Sequence, residues 1–258
     1  HLHTQLSEVC AYARAHGIVL KGDLPIGISR TSVDAWLYPH LFHMDSQAGA
    51  PPDAFSAVGQ NWGFPTYNWE RMARDGYAWW RARMAKMAEY FDAFRIDHIL
   101  GFFRIWEIPT HAVHGLLGYF NPALPYSADE LRGMGFDTQD GRYTTPAPDE
   151  HMLGELFGDL AGEVRATCMK EGRLLPAYAT QRKVARLREG LMALLDDVLF
   201  IEDPRRKGYF HPRIAPHSTH AYRRLDGERR AAFDRLYTDF FYHRHNRFWQ
   251  ESALRKLP

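Results

Sequence analysis

The 258-residue chain is 45% hydrophobic and 24% charged, a globular composition that excludes a wholly disordered or fibrous chain. Thirty-two Lys and Arg stand against 31 Asp and Glu, a formal charge of +1, so no global field points to nucleic acid or to an anionic membrane. The 14% aromatic content, with 7 Trp and 13 Tyr, offers flat apolar faces with polar edges, which suit sugar rings as well as a core.

Residues 5–16 predict a helix that buries Leu6, Val9, Cys10 and Ala13, with Gly17 as a left-handed C-cap. Residues 18–23 then read as a short strand ending in Asp23, because Leu24-Pro25 cannot simply continue a central strand. Residues 29–68 are dense in Pro, Gly, Asn and aromatics without a period, and are expected to form a long ordered loop region with short helical turns. One helix is expected from about Trp69 to Tyr90, burying Trp80, Met84, Met87 and Phe91. Ala93–Asp97 is a second strand ending in an acid, with His98 just beyond.

Two acid-ended strands separated by a crossover fit a parallel barrel, whose active site is built at the carboxyl ends of its strands. Residues 110–200 are less legible. They are Pro-rich at 122–125 and 146–148 and show helical patterns near 150–170 and 178–196. Val198–Ile201 reads as a short strand, and Glu228–Lys256 as one or two helices.

The expected fold is α/β, a partial (β/α)8 TIM barrel with long loop and helical insertions. Residues 1–109 form the barrel segment, 110–208 the insertion or helical subdomain, and 209–258 a helical segment leading to a further strand. The chain has no initiator Met and opens about one residue before a helix, which reads as the boundary of a piece of a longer protein. Cys10 and Cys168 make no CxxC or Cys/His motif, so neither a disulfide framework nor a zinc site is expected, and a cytoplasmic setting is the default. The N-terminus has no export signature, and no apolar run reaches transmembrane length.

Arg95-Ile96-Asp97-His98 carries the chemistry. Alternation along a strand puts Arg95 and Asp97 on one face, a fixed cation beside a carboxylate. In retaining glycoside chemistry one carboxylate attacks the anomeric carbon while a second acid, roughly 5–5.5 Å away, protonates the leaving oxygen. A structural ion pair closing a barrel end explains the same four residues equally well. The His1-x-His3 and His243-x-His245 pairs lack an acidic or Cys partner, so no metal is assigned. The Arg223-Arg224 and Arg229-Arg230 pairs read as solvated faces.

A series of longer motifs separates the two readings. In order come residues 22–26 (Gly-Asp-Leu-Pro-Ile), 49–53 (Gly-Ala-Pro-Pro-Asp), 59–69 (Gly-Gln-Asn-Trp-Gly-Phe-Pro-Thr-Tyr-Asn-Trp), 94–98 (Phe-Arg-Ile-Asp-His) and 101–109 (Gly-Phe-Phe-Arg-Ile-Trp-Glu-Ile-Pro). Together they resemble the 4-α-glucanotransferase family of amylomaltases and disproportionating enzymes. The stretch Tyr209-Phe210-His211-Pro212-Arg213 is similar to the plant-type cytosolic branch and its bacterial relatives.

The resemblance implies that Asp97 is the nucleophile, Arg95 the arginine that orients it and His98 a substrate contact. It implies that Asp23 shapes the subsite beside the cleaved bond, that Trp62 borders the glucan groove with Gln60 and Asn61 as partners of the sugar hydroxyls, and that Asp53 binds substrate as well. Tyr67 and Trp69 read as packing residues. The family often has an aromatic after Pro-Pro-Asp where this chain has Ala54, which puts one sugar contact in doubt.

The implied activity is transfer of an α-1,4-glucan segment to the 4-hydroxyl of glucose or another glucan, without a cofactor. The implied partners are maltooligosaccharides and starch- or glycogen-derived glucans, with neither nucleic acid nor membrane. Two alternatives stay open, an α-glucan hydrolase of the same clan and a glycan-binding module without turnover. The family's acid/base lies in a Glu-Asp-Leu-Gly motif that this sequence lacks, and Glu202-Asp203-Pro204 is read as a decoy. These residues are therefore expected to carry the nucleophile half of the site and to be inactive alone.

Overall fold

The computed structural model describes residues 1–139, 141–175 and 185–244. The start of the helical pattern near 178–196, the end of the Glu228–Lys256 segment and His245 lie outside the described residues. The first half of the chain forms α1 (Leu2–Ala15), β1 (Lys21–Leu24), α2 (Val33–Leu37), β2 (Phe42–His43), β3 (Ser46–Ala50), β4 (Gln60–Asn61), β5 (Thr66–Tyr67), α3 (Trp69–Ala73), α4 (Ala78–Tyr90), β6 (Ala93–Ile96), β7 (Ile105–Pro109), β8 (Tyr119–Asn121) and β9 (Tyr126–Ser127). There follow α5 (Ala128–Gly133), α6 (Glu150–Phe157), α7 (Ala161–Cys168), β10 (Met169–Lys170), β11 (Arg173–Leu174), α8 (Ala185–Leu195), β12 (Phe200–Glu202), β13 (Tyr209–Pro212), α9 (His220–Arg223) and α10 (Gly227–Thr238). The fold is mixed α/β with small open sheets, and no helix among the described residues is long and apolar enough to cross a membrane. Two compact units emerge, one from residues 1–44 with 63–104, the other from 45–62 with the described residues from 105 onward.

In the first unit β1 and β6 pair in parallel with Asp23 opposite Arg95 and Leu24 opposite Ile96. The Asp97 amide continues the ladder by donating to the Leu24 carbonyl at 3.0 Å. Each strand follows a helix, the two helices are in contact, and Cys10 and Ala13 of α1 are buried. Arg14 Nε donates to Asp92 Oδ1 at 2.7 Å, while Asp92 Oδ2 accepts from the Leu20 amide, so one carboxylate ties the end of α1 to the entry of both strands. Gly22 is required here, since a Cβ at this position would lie 2.5 Å from the Phe91 ring.

Three expectations change. Of the side chains expected to be buried between 69 and 91, Trp80 is buried while Met84, Met87 and Phe91 are only half-buried, because the helix packs on one flank alone. Leu6 and Val9 of α1 are 37% and 57% exposed, because the packed face of the helix follows Cys10 and Ala13 instead. The helix expected from Trp69 to Tyr90 is two helices, broken where Gly76 and Tyr77 both take positive φ. Local capping explains the break: the Asn68 side chain accepts from the Arg71 amide to start α3, and Asp75 Oδ1 accepts from the Ala78 amide to start α4. Above the break Tyr67 is buried among Phe42, Trp69, Trp79 and Trp80, with ring centroids 4.9–5.9 Å apart. Arg83 lies over Trp79 and Trp80 and donates to the Tyr67 hydroxyl. Burial pushes the Tyr67 hydroxyl up to about 12.

In the second unit the expected loop region contributes strands. β3 is the centre of an antiparallel sheet in the order β4-β3-β7-β8, and a second antiparallel sheet has the order β12-β13-β9. Ser46-Gln47-Ala48-Gly49-Ala50 has no β-branched residue, so nothing local marks it as a strand. Its partners on both edges hold it extended, and a Cβ at Gly49 would fall 2.0 Å from the Gln60 carbonyl oxygen. One core gathers Tyr126, Phe136, Phe200 and Phe233 between β12, β13 and α10. A second joins α6, α7 and α8 through Met152, Phe157, Cys168 and Leu191. On β7 Glu107 is fully buried, where it accepts hydrogen bonds from Ser46 Oγ and Arg205.

Candidate active site

The two acid-ended strands deliver their acids to one cation. Arg95 Nη2 donates to Asp97 Oδ1 at 2.5 Å and Nη1 donates to Asp23 Oδ2 at 3.0 Å, so a single guanidinium forks between carboxylates 74 positions apart in the chain. The pleat makes Asp97 the neighbour of Arg95 on its own strand, and the parallel register brings Asp23 to it from across the pair. All three side chains are open to solvent, with Asp97 the least exposed at 40%. The Asp97–Arg95 contact follows from alternation, whereas the Arg95–Asp23 contact had no local signal. Two strands each ending in an acid, with one also carrying an arginine two residues earlier, is the pattern that would have revealed it.

His98 adopts φ +49°, in the left-handed region, and leads into a 3₁₀ turn over Ile99–Phe102. It lies at the carboxyl end of β6 with its side chain exposed.

Asp53, Gln60, Asn61 and Trp62 lie together in the other unit, on and beside the β3–β4 hairpin. Asp53 Oδ1 accepts the Phe55 and Ser56 amides at 2.9 and 2.8 Å, which folds the loop after Pro51-Pro52 into a tight turn. Gly59 closes the loop at φ +72°, and a Cβ there would lie 2.6 Å from the Ala50 carbonyl oxygen. Trp62 Nε1 donates to Gln60 Oε1 at 3.0 Å, which fixes the indole plane against its neighbour. Asn61 Nδ2 donates to the Ala112 carbonyl. Ala54 is exposed, and the adjoining Phe55 holds its ring 96% exposed. Glu202 ends β12, and its oxygens accept from Lys207 Nζ at 3.2 Å and from the Gly208 amide at 3.1 Å, the bonding of a hairpin-closing residue.

Comparison with known proteins agrees with the motif series. The glycoside hydrolase 77 family, described as 4-alpha-glucanotransferase, matches residues 1–257. The 4-alpha-glucanotransferase DPE2 of Oryza sativa subsp. japonica is 42% identical over 279 residues, covering 100% of this chain and 30% of the rice protein. The 4-alpha-glucanotransferase of Chlamydia caviae is 38% identical over 170 residues, covering 65% and 30%. Among solved structures, an amylomaltase from Corynebacterium glutamicum is 29% identical with a TM-score of 0.44 over 46% of this chain and 17% of that one. The chain spans less than a third of the length of these curated relatives. A family match that runs from residue 1 to residue 257 shows that the chain belongs to the 4-alpha-glucanotransferase family.

Proposed function

We propose that this chain supplies the nucleophile of a retaining α-1,4-glucan transfer. The observation that carries the reading is the Arg95 fork, which holds Asp97 at a strand end with one carboxylate oxygen engaged. The other oxygen attacks the anomeric carbon, the glycosidic C–O bond breaks, and a second acid of the complete enzyme protonates the departing oxygen. The 4-hydroxyl of a second sugar then attacks the glycosyl–Asp97 ester, gives its proton to that same group as base, and frees the carboxylate. No organic cofactor enters this sequence.

On this reading β1 and β6 are neighbouring strands of a (β/α)8 barrel, the finer form of the mixed α/β architecture, and residues 110–208 are an insertion in the barrel sequence. Asp23 and His98 contact the sugar beside the cleaved bond. Trp62 lays its indole along the glucan, with Gln60 and Asn61 toward the sugar hydroxyls. Asp53 acts through the turn it holds, and Phe55 offers an aromatic face where Ala54 has none. The substrates are maltooligosaccharides and starch- or glycogen-derived glucans.

The test incubates the complete enzyme with maltotriose. Glucose together with longer oligomers, lost in Asp97→Asn, supports transfer. Accumulation of reducing ends without longer products means hydrolysis, and binding without turnover means a glycan-binding module.

A further inference from the structure

The β3–β4 hairpin that carries Gln60 and Trp62 has a short ladder of its own. Two residue pairs form it, Gly49 with Asn61 and Ala50 with Gln60, continued by the Trp62 amide donating to the Ala48 carbonyl at 2.9 Å. β4 is the edge of its sheet, and a two-residue edge strand is marginal without further packing. The segment after β7 supplies that packing. Gln47 and Asn61 share one face of the sheet, because Asn61 pairs with Gly49, two residues beyond Gln47. The carbonyl of buried Ala112 accepts from both side chains, Asn61 Nδ2 and Gln47 Nε2, each at 3.2 Å. The second N–H of Gln47 Nε2 donates to the Pro109 carbonyl, also at 3.2 Å, so one primary amide ties both ends of the turn that leaves β7. Gly115 then lies against the feet of the 51–59 loop. A Cβ there would fall 2.6 Å from the Ala50 carbonyl oxygen and 3.0 Å from the Gln60 amide nitrogen and the Gly59 Cα. The buried Trp106 indole holds this glycine in place by donating to its carbonyl at 2.8 Å.

We propose that Gln47 is a positioning residue for the glucan groove: it holds the Ala112–Gly115 segment against β4, and that segment sets the backbone from which Gln60 and Trp62 meet the sugar. The inference rests on the reading of Gln60 and Trp62 as glucan contacts. Gln47 itself touches no sugar, since both N–H groups of its amide are engaged by carbonyls of the 109–112 turn. Gly115 is the other half of the device, because only a residue without a Cβ lets the segment approach Gly59 and Gln60 so closely. Loss of either residue acts on sugar binding through the hairpin and leaves the Asp97 carboxylate untouched. The signature is a change in KM without a matching change in kcat.

Trp62 makes the positioning observable apart from catalysis. The complete enzyme is labelled with 5-fluorotryptophan, the Trp62 ¹⁹F signal is assigned by Trp62→Phe, and maltotriose kinetics are measured on the same set of variants. Gln47→Met keeps the length of the side chain and removes both donors, whereas Gly115→Ala pushes the segment off the hairpin and keeps Gln47. Each is expected to shift or broaden the Trp62 signal and to raise KM about fivefold, with kcat within about twofold of the parent. The double variant should be little worse than the stronger single one, because both act through one contact. Leu191→Ala, in the core between α6, α7 and α8, should lower the melting temperature yet leave the Trp62 signal and KM at parent values, which separates positioning from a general loss of stability. Trp62→Ala tests the underlying reading: an unchanged KM there removes the groove assignment and the proposal with it. A raised KM in Trp62→Ala, with the Trp62 signal or KM of Gln47→Met at parent values, keeps the groove assignment and overturns the proposal alone. A KM rise in Leu191→Ala equal to that of Gln47→Met would overturn it as well.

Discussion

Arg95 binds Asp97 at 2.5 Å with one arm of its guanidinium and reaches Asp23 at 3.0 Å with the other. A planar fork can serve two carboxylates in fixed directions, whereas an ammonium on a flexible stem cannot. In the complete enzyme Arg95→Lys is expected to lower kcat by about tenfold or more, with a smaller change in KM. Asp97→Asn should abolish transfer. Both sites are solvent-exposed, so thermal melts of the two variants should match the parent. Near-normal turnover of Asp97→Asn with maltotriose would remove it as the nucleophile.

The two aromatic positions near the hairpin separate by burial. Trp62→Ala removes a partly exposed ring and should raise KM for maltooligosaccharides by about tenfold while leaving the melt unchanged. Tyr67→Phe removes a buried hydroxyl that accepts from Arg83, so it should cost about 1 kcal/mol of stability and leave KM alone. Equal effects on KM would mean that the wrong ring has been placed against the sugar.

Glu107 is fully buried and bound by Arg205, whose own side chain is 27% exposed. Arg205→Met strands a buried carboxylate and should destabilise the second unit by about 3–5 kcal/mol in urea unfolding. Adding Glu107→Gln to Arg205→Met removes the stranded charge and should recover part of that loss. Additive losses in the double variant would show that the two residues are not coupled.

The hydrogen bond to Asp196 lifts the His114 imidazole above its ordinary value, against the opposing effect of burial. A raised folded value means that the pair's stabilisation is complete below the ordinary value near 6.5 and fades as pH rises through the lifted one. His114→Gln should therefore lower the melting temperature at pH 6 and change it much less at pH 9. A pH-independent difference would show that His114 acts through packing alone.

The sequence by itself determined the features that depend on neighbours along the chain. The period of two puts Arg95 and Asp97 on one strand face. The run before Leu24-Pro25 ends β1 within a residue of Asp23, and Cys10 and Tyr67 are buried as their surroundings predict. Asn68 and Asp75 are capping residues visible in the sequence, yet the apolar stripe across 69–90 obscured the break they specify. Tertiary structure alone decided the rest. Only the β1–β6 register places Asp23 against Arg95, only the flanking strands make Ser46–Ala50 extended, and only the fold joins Glu107 to an arginine 98 residues away. The physical reason is the same throughout: helix caps and strand faces are set by bonds a few residues long, whereas strand pairing, helix-face burial and buried ion pairs are set by partners that no local window contains.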